Sequence, residues 1–166
     1  EAILAEDESQ RDIALYIEDP HLLLNQAPQQ IFLDPSNTYR LPMEEYQKGK
    51  RQPSGFHIRP LRHKEEIDEM NRIYTGLGMM PVKEAFVWEQ RNSDIITYVL
   101  AIQAETEKVL GVAMGADHRA CGEHMPNRCS IWAVAVDPQA ELPGVGESLV
   151  RHLIEHYREM GREELD

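Results

Sequence analysis

Basic residues are scarce in this sequence: 17 Lys and Arg stand against 29 Asp and Glu, a formal net charge of −12 over 166 residues. That balance argues against nucleic acid and against an anionic membrane as partners, because both are held mainly by Lys and Arg neutralising phosphate. An anionic ligand would have to be held by local backbone amides rather than by a global field. Cysteine is scarcer still. Only Cys121 and Cys129 occur, both in one short segment, so a disulfide scaffold is excluded. Long apolar runs are missing, and none approaches the ~20 residues that span a bilayer. The chain opens on Glu1 without a basic flank and an apolar stretch, so no secretory leader is expected, the setting is read as cytoplasmic, and the start is expected to be cut from a longer chain. What is present, 42% hydrophobic and 28% charged residues at a mean hydropathy of −0.51, is the composition of a globular protein. The length suits one well-cored domain with an appendage.

The appendage is read as residues 1–55. Residues 1–10 are acidic and polar, Asp12 to Ile17 has strand-like aliphatic content, and His21 to Gln26 suits a short helix. Ile31 to Phe32 and Thr38 to Leu41 flank the turn signal Asp34 to Asn37, and Pro53 to Gly55 marks the boundary. Residues 56–166 form the main domain. Phe56 to Leu61 alternates as a strand does. Over His63 to Leu77, Ile67, Met70, Ile73, Tyr74 and Leu77 recur at helical spacing, with Gly76 and Gly78 as stops. A second helix is predicted from Val82 to Arg91. Ile95 to Ala104 and Val109 to Ala116, separated by Glu105 to Lys108, read as an antiparallel hairpin. Ser130 to Val136 is another strand, and Gly146 to Met160 an amphipathic helix closed by Gly161. A further strand begins at Leu165. The order predicts an α/β (α+β) fold, a mixed, mostly antiparallel sheet flanked by helices, whose last strands would follow Asp166.

Ile131-Trp132-Ala133-Val134-Ala135-Val136 is apolar on both faces, as a strand covered on both sides would be. It leads through Asp137 to Pro143 into Gly144 and Gly146, which open the amphipathic helix. Such a junction offers free amides, and the helix N-terminus adds about half a positive charge. A Walker loop would need Gly-Lys-Ser/Thr, and no lysine occurs from Val109 to Asp166. A dinucleotide fingerprint would need a third glycine where Leu149 stands, and the antiparallel strands before the motif speak against a parallel βαβ unit. An acyl-coenzyme A loop remains.

The run from Val134 to Val150 resembles motif A of the GNAT acetyltransferase superfamily, whose form is Arg/Gln-x-x-Gly-x-Gly/Ala. Gly144 and Gly146 match it, while Glu141 stands where Arg or Gln is customary. A carboxylate about 4 Å from a phosphate repels it by about 1 kcal/mol even in a water-like dielectric. Asp19-Pro20-His21, the run from Phe32 to Arg40, Asn71 to Tyr74, Ala135 to Ala140 and Gly144 to Glu147 are similar to the acetyltransferase half of the bacterial N-acetylglutaminylglutamine synthetase family. That family joins a GNAT domain to a downstream ATP-grasp ligase and makes an osmoprotectant dipeptide. The resemblance covers nearly the whole chain.

What the resemblance implies is direct transfer of acetyl from acetyl-CoA, a cosubstrate, to the α-amine of a small amino acid or dipeptide, with glutamine the indicated acceptor. It implies a cofactor-binding run of Val134, Ala135, Val136, Glu141, Leu142, Pro143, Gly144, Val145, Gly146 and Glu147. No metal and no covalent enzyme intermediate are implied, so Cys121 and Cys129 are not expected to be nucleophiles. An α-amine with a pKa near ~8 is neutral in about one molecule in ten at pH 7, so a modest base suffices. Asp117, at the end of the second hairpin strand, is the first candidate and His118 the second; Glu123 and His124 lie in the same connection. His118, Cys121, His124 and Cys129 also admit a zinc-ligand reading, and a non-catalytic ligand-sensing or docking module is the alternative to an enzyme. His152 and His156, one helical turn apart, are read as solvated partners of Glu155 and Glu159. Gly76 to Val82 is either a lid over the acceptor or an ordinary loop, and the general acid is expected beyond Asp166.

Overall fold

The computed structural model describes residues 19–29, 31, 37, 39–49, 53–122 and 124–166. The strand expected at Asp12 to Ile17, most of the reversal at Asp34 to Asn37, and Glu123 fall outside these. Two compact units divide the chain, 1–37 and 38–166. In the first, helix α1 (Pro20–Gln26) forms where the short helix is predicted, opened by the fixed φ of Pro20.

The second unit is built on a six-stranded sheet, β1 (Leu41–Pro42), β2 (Phe56–Pro60), β3 (Ile96–Gln103), β4 (Val109–Asp117), β5 (Arg128–Val136) and β6 (Glu164–Leu165), in the order β1-β6-β5-β4-β3-β2. Every pairing is antiparallel except the parallel pair of β5 with β6. Helices α2 (Glu66–Gly76) and α3 (Glu84–Gln90) connect β2 to β3, and α4 (Val145–Glu159) connects β5 to β6. The fold is the mixed, mostly antiparallel sheet with flanking helices that the sequence predicts. No helix among the described residues is long and apolar enough to cross a membrane.

Each face of the sheet has its own core. Ile67, Met70, Ile73 and Tyr74 of α2 and Val87 of α3 pack on Tyr98, Leu100 and Ile102 of β3. The alternate β3 residues Val99 and Ala101 turn to the other face, against Val145, Leu149, Leu153, Ile154 and Tyr157 of α4. Period 2 in the strand and period 3.6 in the helices meet here, and each fully buried aliphatic side chain contributes about 1.5–3 kcal/mol. Tyr157 lies so close to β4 that a Cβ on Gly115 would collide with its ring and hydroxyl, so glycine is required there by the approach of α4.

One irregularity in β5 matters for function. Met114 of β4 faces Ala133 but Gly115 faces Ile131, which leaves Trp132 as an extra residue, a β-bulge. Before it, Cys129 and Ile131 point to the α4 face; after it, Ala133 and Ala135 point to the α2–α3 face and Val136 to the α4 face. The bulge inverts the alternation.

Candidate active site

Asp137 anchors the turn that follows β5. Its side chain is 1% exposed; its carboxylate accepts from Arg72 Nη2 at 2.8 Å and from the Gln139 N–H at 2.9 Å, and pairs with Lys108 Nζ at 3.3 Å. The Arg72 guanidinium, opposed by burial and aided by Gln139 and Lys108, holds this carboxyl down at about 2. Helix α2 and the β3–β4 turn thus both grip the start of the loop. At its end Gly144 caps α4 in the left-handed region, φ 84°, which favours glycine. Ser148 N–H is the first of the helix to reach a ladder acceptor, Gly144 O at 3.0 Å, so the amides of Val145, Gly146 and Glu147 precede the ladder. A Cβ on Gly146 would stand 3.3 Å from Val136 Cγ2, so these amides lie against the end of β5.

The backbone of β5 continues that donor strip. Asp137 N–H bonds Leu110 O at 2.8 Å, so the backbone groups of Asp137, Ala135 and Ala133 turn toward β4 and those of Val134 and Val136 turn away. Strand β6 pairs with Arg128 and Cys129 only, plus one bond from Ile131 N–H to Asp166 O at 3.0 Å. Among the described residues no strand pairs with Val134 or Val136 on that side. A helix N-terminus that suits a diphosphate therefore adjoins a free strand edge that suits an extended amide chain. Of the other residues named for this run, Glu141, Pro143 and Glu147 are exposed and Leu142 half-buries itself against Gly55. Glu147 pairs with Arg151 at 2.5 Å, which withdraws one carboxylate from the strip. A cleft of about 580 Å³ elsewhere, beside Arg72 and Lys108, is walled by Glu65, Glu66 and Glu69 and suits an anion poorly.

Asp117 ends β4 and His118 follows it, the two side chains on opposite faces. Asp117 is 0% exposed; both its oxygens bond Arg162, at 2.8 and 2.9 Å from Nε, and one also accepts the N–H of Arg119 at 3.0 Å. His118 is half-buried, with Nε2 2.9 Å from Ser130 Oγ, which also accepts from Trp132 Nε1 at 2.6 Å. Ser130 and Trp132 are site neighbours that sequence reasoning did not single out. The signal for Ser130 was a lone hydroxyl in an apolar strand, since a buried hydroxyl needs a partner; nothing in the sequence marks Trp132. His124 is exposed and makes no part of this arrangement.

Burial, with Asp117 adding, pushes the Cys129 thiol up to about 12, so it stays protonated near neutrality, while Cys121 is exposed. No group of three or more His, Cys, Asp or Glu among the described residues could hold a metal ion, so the zinc reading finds no geometry there. Burial and His156 lower the pKa of His152 while Glu155 and Glu159 act to raise it, and Glu155 also accepts from Tyr46 and Lys48. Asn71 clamps the end of the 76–82 loop by bonding both Val82 N–H at 2.7 Å and Val82 O at 3.0 Å.

Against this geometry stand the comparisons with known proteins. The model of the acetyltransferase (GNAT) family matches residues 63–165, from the start of α2 to β6. The chain belongs to the GNAT acetyltransferase family. GNAT enzymes are N-acetyltransferases that use acetyl-CoA, and the chain is accordingly an acyltransferase. Solved structures share the fold. An aminoglycoside acetyltransferase from an uncultured soil metagenomic sample, in complex with sisomicin, superposes with a TM-score of 0.56 at 17% identity, over 68% of this chain and 76% of that one. A Trypanosoma brucei acetyltransferase gives 0.51 at 19% identity over 63% and 75%. An N-acetyltransferase from Staphylococcus aureus Mu50 gives 0.50 at 21% identity over 66% and 70%. No curated protein matches the sequence.

Proposed function

We propose that this GNAT enzyme transfers acetyl from acetyl-CoA to the α-amine of a small amino acid or dipeptide, with glutamine as the first acceptor to test. The observation that carries the cosubstrate assignment is the continuous strip formed by the amides of Val145, Gly146 and Glu147 and the outward backbone groups of Val134 and Val136. In a chain of net charge −12, anion binding has to come from such local donors. The residues from Glu141 to Pro143 would flank the diphosphate, and acetyl-CoA would supply an activated thioester to the amine. His118 is the proposed base, and Asp117, locked to Arg162, fixes the connection that carries it. Acceptor class rests on the likeness to the N-acetylglutaminylglutamine synthetase family. The same likeness supports a covalently linked ATP-grasp partner, an osmoprotectant product, a cytoplasmic setting and a division into an extension, 1–55, and a catalytic domain, 56–166, with β1 the strand that the extension lends to the sheet.

Calorimetric titration of acetyl-CoA into the protein, beside its Gly146→Trp variant, tests the strip. Binding lost only in the variant supports it; equal binding by both, or by neither, overturns it. Free amino acids screened for coenzyme A release test the acceptor, and turnover confined to lysine-containing peptides would sink the small-molecule assignment.

A further inference from the structure

Ser130 sits at a junction of three side chains. It is 9% exposed, accepts from Trp132 Nε1 at 2.6 Å and lies 2.9 Å from His118 Nε2. An indole N–H can only donate, so one lone pair of Ser130 Oγ is taken and the hydroxyl proton must find an acceptor of its own. Among the described residues the partner placed to accept it is His118 Nε2. With the serine donating, the neutral imidazole would carry its proton on Nδ1 and turn the lone pair of Nε2 to the serine. His118 is held from both ends of its backbone, its N–H on Arg128 O at 3.0 Å and its carbonyl accepting from Cys121 N–H at 3.1 Å, so the ring is aimed by β5 and by the turn after β4 together.

The place of the triplet matters as much as its bonds. Cys129 and Ile131 face α4, so by alternation Ser130 between them faces the α2–α3 side. Trp132, the bulged residue, is 51% exposed, which brings the chain of bonds out to where a soluble amine can arrive. It also lies beside the open edge that begins at Val134.

We propose that Ser130 is a proton relay between the acceptor amine and His118, with Trp132 the positioning residue that holds its hydroxyl in line; this rests on the N-acetyltransferase reading. The one imidazole nitrogen with a free lone pair is covered by the serine, so a proton leaving the amine reaches it through Ser130 Oγ. The substrate ammonium gives one proton to Oγ as the Ser130 hydroxyl proton passes to Nε2. The neutral amine forms the N–C bond to the acetyl carbonyl and the C–S bond breaks. Coenzyme A leaves as thiolate and takes the second proton released by the nitrogen, while the imidazolium returns the first to solvent.

The test joins a readout on the free protein to one in turnover. With imidazole nitrogens labelled by ¹⁵N, NMR should show His118 as the Nδ1–H tautomer in the wild type and shifted toward Nε2–H in Ser130→Ala. In turnover, Ser130→Ala and His118→Gln should each lower kcat by about a hundred- to ten-thousandfold with KM for acetyl-CoA unchanged. The double variant should lose no more than either single one, which a merely structural role would not produce. Thermal unfolding of both variants guards against misfolding, and Trp132→Phe, which removes the N–H donor together with the pyrrole half of the ring, should lower kcat less than either. An Nε2–H tautomer in the wild type, or wild-type kcat in Ser130→Ala with acetyl-CoA still bound and turned over, overturns the relay alone. Absence of acetyl-CoA binding in the wild type overturns the N-acetyltransferase reading and the relay with it.

Discussion

Asp137 is a carboxylate the fold depends on, and its depressed pKa gives the dependence a pH signature. Because the folded value near 2 lies below the ordinary one, its stabilisation is full above about pH 4 and is lost as pH falls toward 2. Asp137→Asn should therefore cost about 1–3 kcal/mol in urea unfolding at pH 7, and the gap from the wild type should narrow through that acid window. Tyr157 makes the opposite case. Its hydroxyl is buried with no hydrogen-bond partner among the described residues, and burial pushes it up to about 12 against a smaller lowering contribution from the Thr97 side chain. Tyr157→Phe should leave stability unchanged or raise it by up to about 1 kcal/mol, because the hydroxyl is desolvated for no return; a lower melting temperature in the variant would show that a partner exists. Neither environment is legible in the sequence. Arg72 and Lys108, the cations that grip Asp137, lie far from it along the chain, and Gly115, which admits Tyr157 of α4, belongs to β4.

The elements themselves were far more legible, because each depends on a short-range pattern. The stripes on α2 and α4, the hairpin of β3 and β4, and the strand–glycine–helix junction all stand within a residue or three of their predicted limits. The strip at that junction gives two expectations. Gly146→Val should abolish detectable acetyl-CoA binding in calorimetry while leaving the fold intact by circular dichroism, since the added Cβ would crowd Val136 and its branches the amides. Glu141→Gln should tighten acetyl-CoA binding about fivefold, the equivalent of about 1 kcal/mol of relieved repulsion; an unchanged Kd would mean that the exposed Glu141 already points away. What periodicity could not give is the bulge. An inserted residue inverts the alternation, so the apolar stretch from Ile131 to Val136 read as a uniformly covered strand conceals a change of face at Trp132.

At the scale of the whole molecule, one long-range ion pair and the net charge make their own predictions. Arg162, 16% exposed, meets the fully buried Asp117, so Arg162→Ala would strand a carboxylate in the interior and should cost about 3–5 kcal/mol in chemical unfolding. A charge of −12 should repel acetyl-CoA on approach, so the association rate measured by stopped flow should rise with ionic strength between about 10 and 150 mM, the reverse of a basic site. The sheet has a consequence in time as well. Its β1–β6 edge pairs Leu41 with Leu165, so residues made early and late in the unit must meet to complete it. The hairpin of β3 and β4 can form as soon as it leaves the ribosome, but the outer edge must wait for Glu164 and Leu165, and until they arrive the strand that carries Ser130 has only one neighbour.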